Sequence, residues 1–177
     1  RLAAEKRADE AEAKTKSQQA LALAGTNLKG ILVEANYTLG LAQAFSGAVR
    51  EGRSNCERAV EFAQQSKDPA LLSEAQLALA EARLLSGDAA GALTVALSAQ
   101  EILGHLGKQD SEWVALAIAA RASRSTGDTT KAQDLARRAA ELLSGLTAKW
   151  GAENYNRYVS RPDIQLVRKQ LSESLAK

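Results

Sequence analysis

The sequence repeats itself at an offset of 40 residues, and this recurrence constrains the fold more than any other feature. Each unit has a glycine at the same position, here called the corner glycine, and small residues at the same distances before and after it. The glycines are Gly47, Gly87 and Gly127, and the aligned small residues are Ala35, Ala75 and Ala115; Ala42, Ala82 and Ala122; Cys56, Ala96 and Ala136; and Ala59, Ala99 and Ala139. Such a unit is one supersecondary element that buries its apolar face against its neighbours.

Within each unit the apolar residues recur at helical spacing, as Ala92, Ala96 and Ala99 do on one side of a helix. The composition also favours helices, because alanine makes up about a fifth of the chain and only 2 residues are proline.

The pair Gly87-Asp88 separates two helices. Glycine can end the first helix in a left-handed conformation, and the aspartate oxygen accepts hydrogen bonds from the first amides of the second. We therefore predict helix pairs at 31–46 and 49–65, 71–86 and 89–105, and 111–126 and 129–145. Further start signals are Asp68-Pro69 and Asp110-Ser111.

The two ends depart from the repeat. Residues 1–30 are expected to form an N-terminal helix that is the remnant of a preceding repeat, and the first residue, Arg1, suggests a carboxy-terminal piece of a longer protein. Residues 147–177 are expected to form C-terminal capping helices. A solenoid needs a terminal element that covers its last apolar face and presents a polar face to water. Ser160 and Asp163 have the spacing of a capping box. They precede the apolar stripe Ile164, Val167, Leu171 and Leu175.

The three units at 31–146 resemble the tetratricopeptide repeat (TPR) family. The residues that carry the likeness are Leu39-Gly40 with Gly47 and Ala59; Leu79-Ala80 with Gly87-Asp88, Ala92 and Ala99; and Ala119-Ala120 with Gly127-Asp128, Ala132 and Ala139. The period is 40 rather than 34, most of the family's aromatic residues are missing, and Gly52 replaces a small alanine. The longer period is similar to long-repeat variants in signalling and regulatory proteins. The resemblance implies an all-α, right-handed solenoid of helix-turn-helix repeats with a C-terminal capping helix.

The resemblance also implies a concave working face lined by the first helix of each pair. On that face Arg121 and Arg124 could hold an acidic peptide or carboxylate through forked hydrogen bonds, unless Glu81 neutralises Arg121 across the groove. An apolar and aromatic patch two units earlier, formed by Tyr37, Leu41 and Phe45, would be a docking site if exposed, or core if the N-terminal helix covers it. The candidate partner-binding residues are Tyr37, Leu41, Phe45, Leu77, Glu81, Leu84, Arg121 and Arg124, and the wider face adds Glu34, Glu74, Val114 and Ala117.

The same family contains a carboxylate clamp that holds the terminal carboxylate of a chaperone peptide with Lys, Asn and Arg. The corresponding positions in this chain are Tyr37, Leu41, Ala78, Val114 and Ile118. None of these residues matches the clamp. Binding of a chaperone tail is therefore disfavoured.

No residue pattern in the sequence indicates catalysis, a metal or a cofactor. Cys56 occupies a position that is alanine in the other units, which indicates a small buried side chain. His105 falls near the end of a helix, where a cation complements the helix dipole. The sequon Asn36-Tyr37-Thr38 lies inside a predicted helix rather than in an accessible loop. The chain is therefore predicted not to be an enzyme.

These observations predict a non-catalytic protein-interaction scaffold that binds a peptide or helix of a partner protein. The alternatives are self-association into homo-oligomers, or a regulatory or sensory carboxy-terminal region of a larger signalling or transcription-regulating protein. A net charge of +2 is too small to indicate nucleic acid, and no apolar run approaches the roughly 18 residues of a membrane span. A lone cysteine fits a reducing cytoplasm, although an exported parent protein would have the same composition.

Overall fold

The computed structural model describes residues 12–19 and 29–175, and every regular element in these ranges is an α-helix. Residues 12–19 form α1. The remaining helices are α2 (Lys29–Phe45), α3 (Val49–Ser66), α4 (Pro69–Leu85), α5 (Ala89–His105), α6 (Gln109–Ser125), α7 (Thr129–Val159) and α8 (Pro162–Leu175). The predicted all-α class is therefore confirmed for the described part of the chain. Most of the predicted N-terminal helix at 1–30 lies outside the described residues.

The six predicted repeat helices are all present, and five of them begin and end within two residues of their predicted bounds. The turns have the predicted chemistry, since Gly87 and Gly127 have positive φ angles of 83° and 87°. The Asp88 carboxylate accepts a hydrogen bond from the Gly91 amide at 2.9 Å, and Asp128 accepts one from Lys131 at the same distance. These local interactions connect antiparallel helices without a long loop.

The start signal predicted for α6, Asp110-Ser111, does not cap the helix, although the helix begins within two residues of the predicted position. The helix begins at Gln109, with Lys108 in the N-cap position and no capping side chain, because Gly107 already turns the chain with a φ of 66°. Asp110 lies inside the first turn, where its charge complements the positive end of the helix dipole. The carboxylate is consequently placed on the helix rather than in front of it.

The predicted end of the last repeat helix at residue 145 is also wrong. Helix α7 continues through Gly145 and is interrupted only at Gly151, whose φ of 76° and ψ of 161° are not helical. The predicted capping box is not used either, because the Ser160 hydroxyl donates to the Arg157 carbonyl and the Asp163 carboxylate pairs with Arg161. Ser160 therefore ends α7 instead of opening α8.

The helices pack sequentially in two layers. Helices α2, α4, α6 and α8 contact one another in that order and form the inner layer. Each of α3, α5 and α7 contacts the inner helices that precede and follow it along the chain, and these three form the outer layer. Helix α8 thus occupies the position that the first helix of a fourth pair would take.

Small residues let the two helices of each pair cross closely. Ala80 and Ala92 are fully buried in the second pair, and Ala120 and Ala132 occupy the same places in the third. In the first pair both places are glycine, Gly40 and Gly52. A Cβ atom added to Gly52 would lie 2.5 Å from the Gly40 carbonyl oxygen, which is shorter than a van der Waals contact. The first pair therefore has no room for the alanines that the other two pairs carry.

The carboxy-terminal helices are held by a partly buried chain of two hydrogen bonds. The indole of Trp113 on α6 is fully buried, and its Nε1 donates to the Tyr158 hydroxyl at 2.8 Å. That hydroxyl donates in turn to the Asp110 carbonyl oxygen at 2.6 Å. Ile164 and Leu171 of α8 are buried in the same core as Trp113. These contacts set the position of α8 at the end of the inner layer.

Candidate functional site

A groove of about 380 Å³ runs across the inner layer. Helices α2, α4 and α6 provide one part of its lining, and the end of α7, the turn after it and α8 provide the other. The lining residues are Tyr37, Leu41, Phe45, Glu74, Leu77, Ala78, Glu81, Asp110, Ser111, Val114, Ile118, Tyr158, Arg161, Asp163, Ile164, Leu166, Val167 and Gln170. Most of these side chains are apolar, so the groove can bury apolar groups of a ligand.

The repeat explains how the first helices reach the groove. Tyr37 and Leu77 occupy the same position in consecutive units, as Leu41 and Glu81 do. Tyr37 and Leu41 are one helical turn apart, which places them on one face of α2. Both are half-buried and pack at their bases against the core around Cys56. The apolar patch predicted on α2 is therefore part core and part groove wall.

Five of the eight predicted binding residues line the groove, namely Tyr37, Leu41, Phe45, Leu77 and Glu81. The other three, Leu84, Arg121 and Arg124, are not among its lining residues. Leu84 is partly buried against the main core instead.

Arg121 is bonded within the chain. Its Nη1 lies 2.7 Å from Glu81 Oε2 and its Nη2 lies 3.1 Å from Glu81 Oε1. The two side chains are only 21% and 13% exposed, respectively, and the geometry is the forked pairing that gives the strongest arginine–carboxylate bonds. Of the two alternatives left open by the sequence, the structure thus contains the pairing across the groove.

Arg124 caps the last helix. Its Nη1 donates to the Glu173 carbonyl oxygen at 3.1 Å, and its Nη2 donates to the Ser174 carbonyl oxygen at 2.5 Å. These carbonyls lie in the last turn of α8, at the negative end of the helix dipole, so a cation there is favourable. The guanidinium group that was a candidate ligand for an acidic peptide thus holds α8 in place.

Sequence reasoning missed the contribution of α8 to the groove. Ile164, Leu166, Val167 and Gln170 lie on this helix and line the groove opposite the repeat helices. The apolar stripe on α8 indicated a cap, but α8 begins 53 residues after α6 rather than 40. Aligning the sequence with itself at an offset of 40 therefore does not reveal that α8 takes the place of an inner repeat helix.

Carboxylates dominate the polar part of the groove. Burial raises the pKa of Glu74, and the nearby carboxylates of Glu34 and Asp68 raise it further, against the opposing effect of Lys108. Burial, together with Glu74 and Glu34, raises the pKa of Tyr37 to about 12. At neutral pH the phenol therefore stays protonated beside the Glu74 carboxylate.

Cys56, His105 and Asn36 are the remaining side chains that the sequence singled out, and each lies in surroundings typical of a structural role. Cys56 is fully buried, and burial raises the pKa of its thiol to about 12. His105 is exposed at the end of α5, with Nδ1 2.8 Å from the Glu101 carbonyl oxygen. The Asn36 side chain is fully buried and its amide donates to the Leu32 carbonyl at 2.7 Å, so the sequon is inaccessible.

Within the described ranges, no cluster of three or more His, Cys, Asp or Glu residues could hold a metal ion. None of the described helices combines the length and the apolar character that crossing a bilayer requires. No protein-family model matches the chain, and no curated protein matches it.

Proposed function

We propose that this chain is a non-catalytic protein-interaction module whose groove binds a helical or extended segment of a partner protein. The apolar lining of the groove carries the proposal, because apolar side chains of a partner can be buried between α8 and the first repeat helices. Leu41, Leu77 and Leu166 are the anchoring contacts on the two sides. Removal of these side chains from water on binding is the main source of affinity.

We also propose that the two layers form a right-handed solenoid of the TPR type, with the inner layer on its concave face. The sequential packing of the helices, the glycine corners and the small residues at the crossings support this assignment. Helix α8 then acts as the capping helix of the solenoid. In this arrangement a scaffold role follows from the exposed concave surface.

The lining favours apolar recognition over a carboxylate clamp. The five positions that correspond to the clamp all line the groove, and none carries a cation: Tyr37, Leu41, Ala78, Val114 and Ile118. The predicted role of Arg121 and Arg124 in binding an acidic peptide has less support, because both guanidinium groups are already bonded within the chain. An acidic ligand would have to displace a partly buried ion pair.

A random-peptide display library selected on the immobilised protein tests the proposal. Enriched peptides should bind the wild-type chain with a Kd of about 1 μM, equivalent to roughly −8 kcal/mol. Leu41→Gln and Leu166→Gln, on opposite sides of the groove, should each weaken binding about tenfold because an apolar contact is lost.

The matched control is Leu106→Gln, since Leu106 is 41% exposed in the turn before α6 and lies outside the groove lining. Circular dichroism and thermal unfolding of each variant establish that it is folded. Failure to enrich any peptide, or equal binding to all three variants, would refute the proposal. Light scattering of the same samples tests the alternative of self-association.

A further inference from the structure

Carboxylates outnumber cations around the groove. Six carboxylates and three cations line the groove or interact with its lining residues: Glu34, Asp68, Glu74, Glu81, Asp110 and Asp163, with Lys108, Arg121 and Arg161. These groups have a formal excess of three negative charges, whereas the whole chain has a net charge of +2. A local excess opposite in sign to the whole chain creates a field that selects for positively charged ligands.

Two of the carboxylates are compensated by close arginines. Glu81 has the forked pairing with Arg121, and Asp163 Oδ2 lies 2.6 Å from Arg161 Nη2. These contacts are of hydrogen-bond length, so the charges of Glu81 and Asp163 are largely neutralised locally. The negative excess is concentrated elsewhere in the groove.

The excess is strongest where α2 and α4 meet. Glu34 and Glu74 occupy the same position in consecutive units, on helices that contact each other, and the charge of Glu34 contributes to the raised pKa of the Glu74 carboxyl. Lys108 pairs with Glu74, with Nζ 4.0 Å from Oε1, and both side chains are more than 40% exposed. An exposed pair at this distance contributes little. Glu74 is thus half-buried with only weak compensation.

Tyr37 lines the groove together with Glu74 and is influenced by the charges of both glutamates. Burial and the two glutamates hold its phenol in the protonated form, with a pKa of about 12. A cation of a ligand placed beside Glu74 would be attracted by the Glu74 carboxylate in the groove lining and by the charge of Glu34, with the ring of Tyr37 in the same lining. Arginine suits such a place better than lysine because its planar guanidinium can pair with a carboxylate in a forked manner and stack on a ring.

We infer that the partner segment is amphipathic and cationic, with apolar side chains in the groove and an Arg or Lys beside Glu34 and Glu74. The inference rests on the proposed function of the groove as a peptide-binding site. An acidic segment or a nucleic acid would be repelled by the same carboxylates. The partner class is therefore the opposite of the acidic peptide that the sequence alone suggested for Arg121 and Arg124.

The sequences of the peptides enriched from the display library provide the first test. They should contain more Arg and Lys than Asp and Glu, together with apolar residues at helical or alternating spacing. Binding of a synthesised enriched peptide should weaken when salt is raised from about 0.1 M to about 1 M, because the screening length falls from about 10 Å to about 3 Å.

A charge-matched pair of double variants provides the second test. Glu34→Gln/Glu74→Gln removes the acidic pair and should weaken binding about two- to tenfold, as expected for two partly exposed contacts. Glu61→Gln/Glu101→Gln makes the same change of net charge at exposed positions on the outer helices, and should change Kd by less than about twofold.

Enriched peptides that are neutral or acidic, or equal effects of the two double variants, would overturn the inference. If those peptides still bind Leu41→Gln more weakly than the wild type, the proposed function of the groove stands and only the charge of the partner is wrong. If Leu41→Gln and Leu166→Gln bind every enriched peptide as the wild type does, the groove itself is not the site and both proposals fail.

Discussion

Replacing Gly52 with alanine should destabilise the fold, although alanine is the residue that the other two repeats carry at this position. The added Cβ would lie 2.5 Å from the Gly40 carbonyl oxygen and 2.6 Å from the Ala44 backbone nitrogen. These neighbours are backbone atoms of α2, so relief requires the two helices to move apart. Overpacking of this kind costs about 1–3 kcal/mol.

The intrinsic helix preference acts in the opposite direction. Alanine is favoured over glycine in a helix interior by up to about 1 kcal/mol. The net expectation for Gly52→Ala is therefore a loss of up to about 2 kcal/mol in the free energy of unfolding, by the difference of these two contributions. Gly40→Ala should behave similarly, because its Cβ would lie 2.5 Å from Cys56 Sγ and 2.7 Å from the Gly52 carbonyl oxygen.

Gly145→Ala is the matched control. Gly145 also lies inside a helix, but a Cβ atom there would meet no heavy atom within 4 Å. Only the helix preference remains, so this variant should gain about 0.5–1 kcal/mol. Urea unfolding followed by circular dichroism measures all three variants. If Gly52→Ala and Gly145→Ala stabilise the protein equally, the close approach of α2 and α3 is wrong.

Three further predictions concern the core and the acidic groove. Tyr158→Phe should lower the free energy of unfolding in urea by about 1–3 kcal/mol, because the buried Trp113 indole loses its acceptor; an unchanged value would refute the hydrogen-bond chain. Ala122→Leu should lower the free energy of unfolding by about 1–3 kcal/mol through overpacking, and with it the melting temperature, since Ala122 is fully buried; unchanged melting would contradict the close packing. Glu74→Gln should raise the melting temperature near neutral pH and have no effect below the ordinary carboxyl pKa. The folded-state pKa of Glu74 is raised, so the wild type loses stability as pH rises through the carboxyl range; a difference that is constant with pH would count against this reasoning.

The helix pairs could be predicted because their signals are local. An apolar residue at every third or fourth position and a Gly-Asp corner act through contacts within a few residues of the chain, as at Gly87 and Asp88. Two local signals did not act as predicted. Gly107 turns the chain before Asp110 can cap α6. Gly145 does not end α7, and a Cβ atom at this position would meet no heavy atom within 4 Å.

The lining and the charge of the groove depend on which helices pack against each other. Patterns within a few residues of the chain do not contain this information. Arg121 and Arg124 have similar positions on α6 in the sequence, but one pairs with Glu81 on the preceding inner helix and the other caps α8. Both partners lie 40 or more residues away in the chain. The charge of the groove, and hence the class of partner it favours, therefore became visible only when these pairs were located.

The sequence by itself determined the periodic helices, their corners and the small residues at their crossings, because each follows from backbone geometry and from side chains close along the chain. Only the tertiary structure decided that α8 completes the groove and that Gly40 and Gly52 meet too closely for a Cβ atom at either position. These properties depend on distances between helices, which are set by the packing of the whole inner and outer layers.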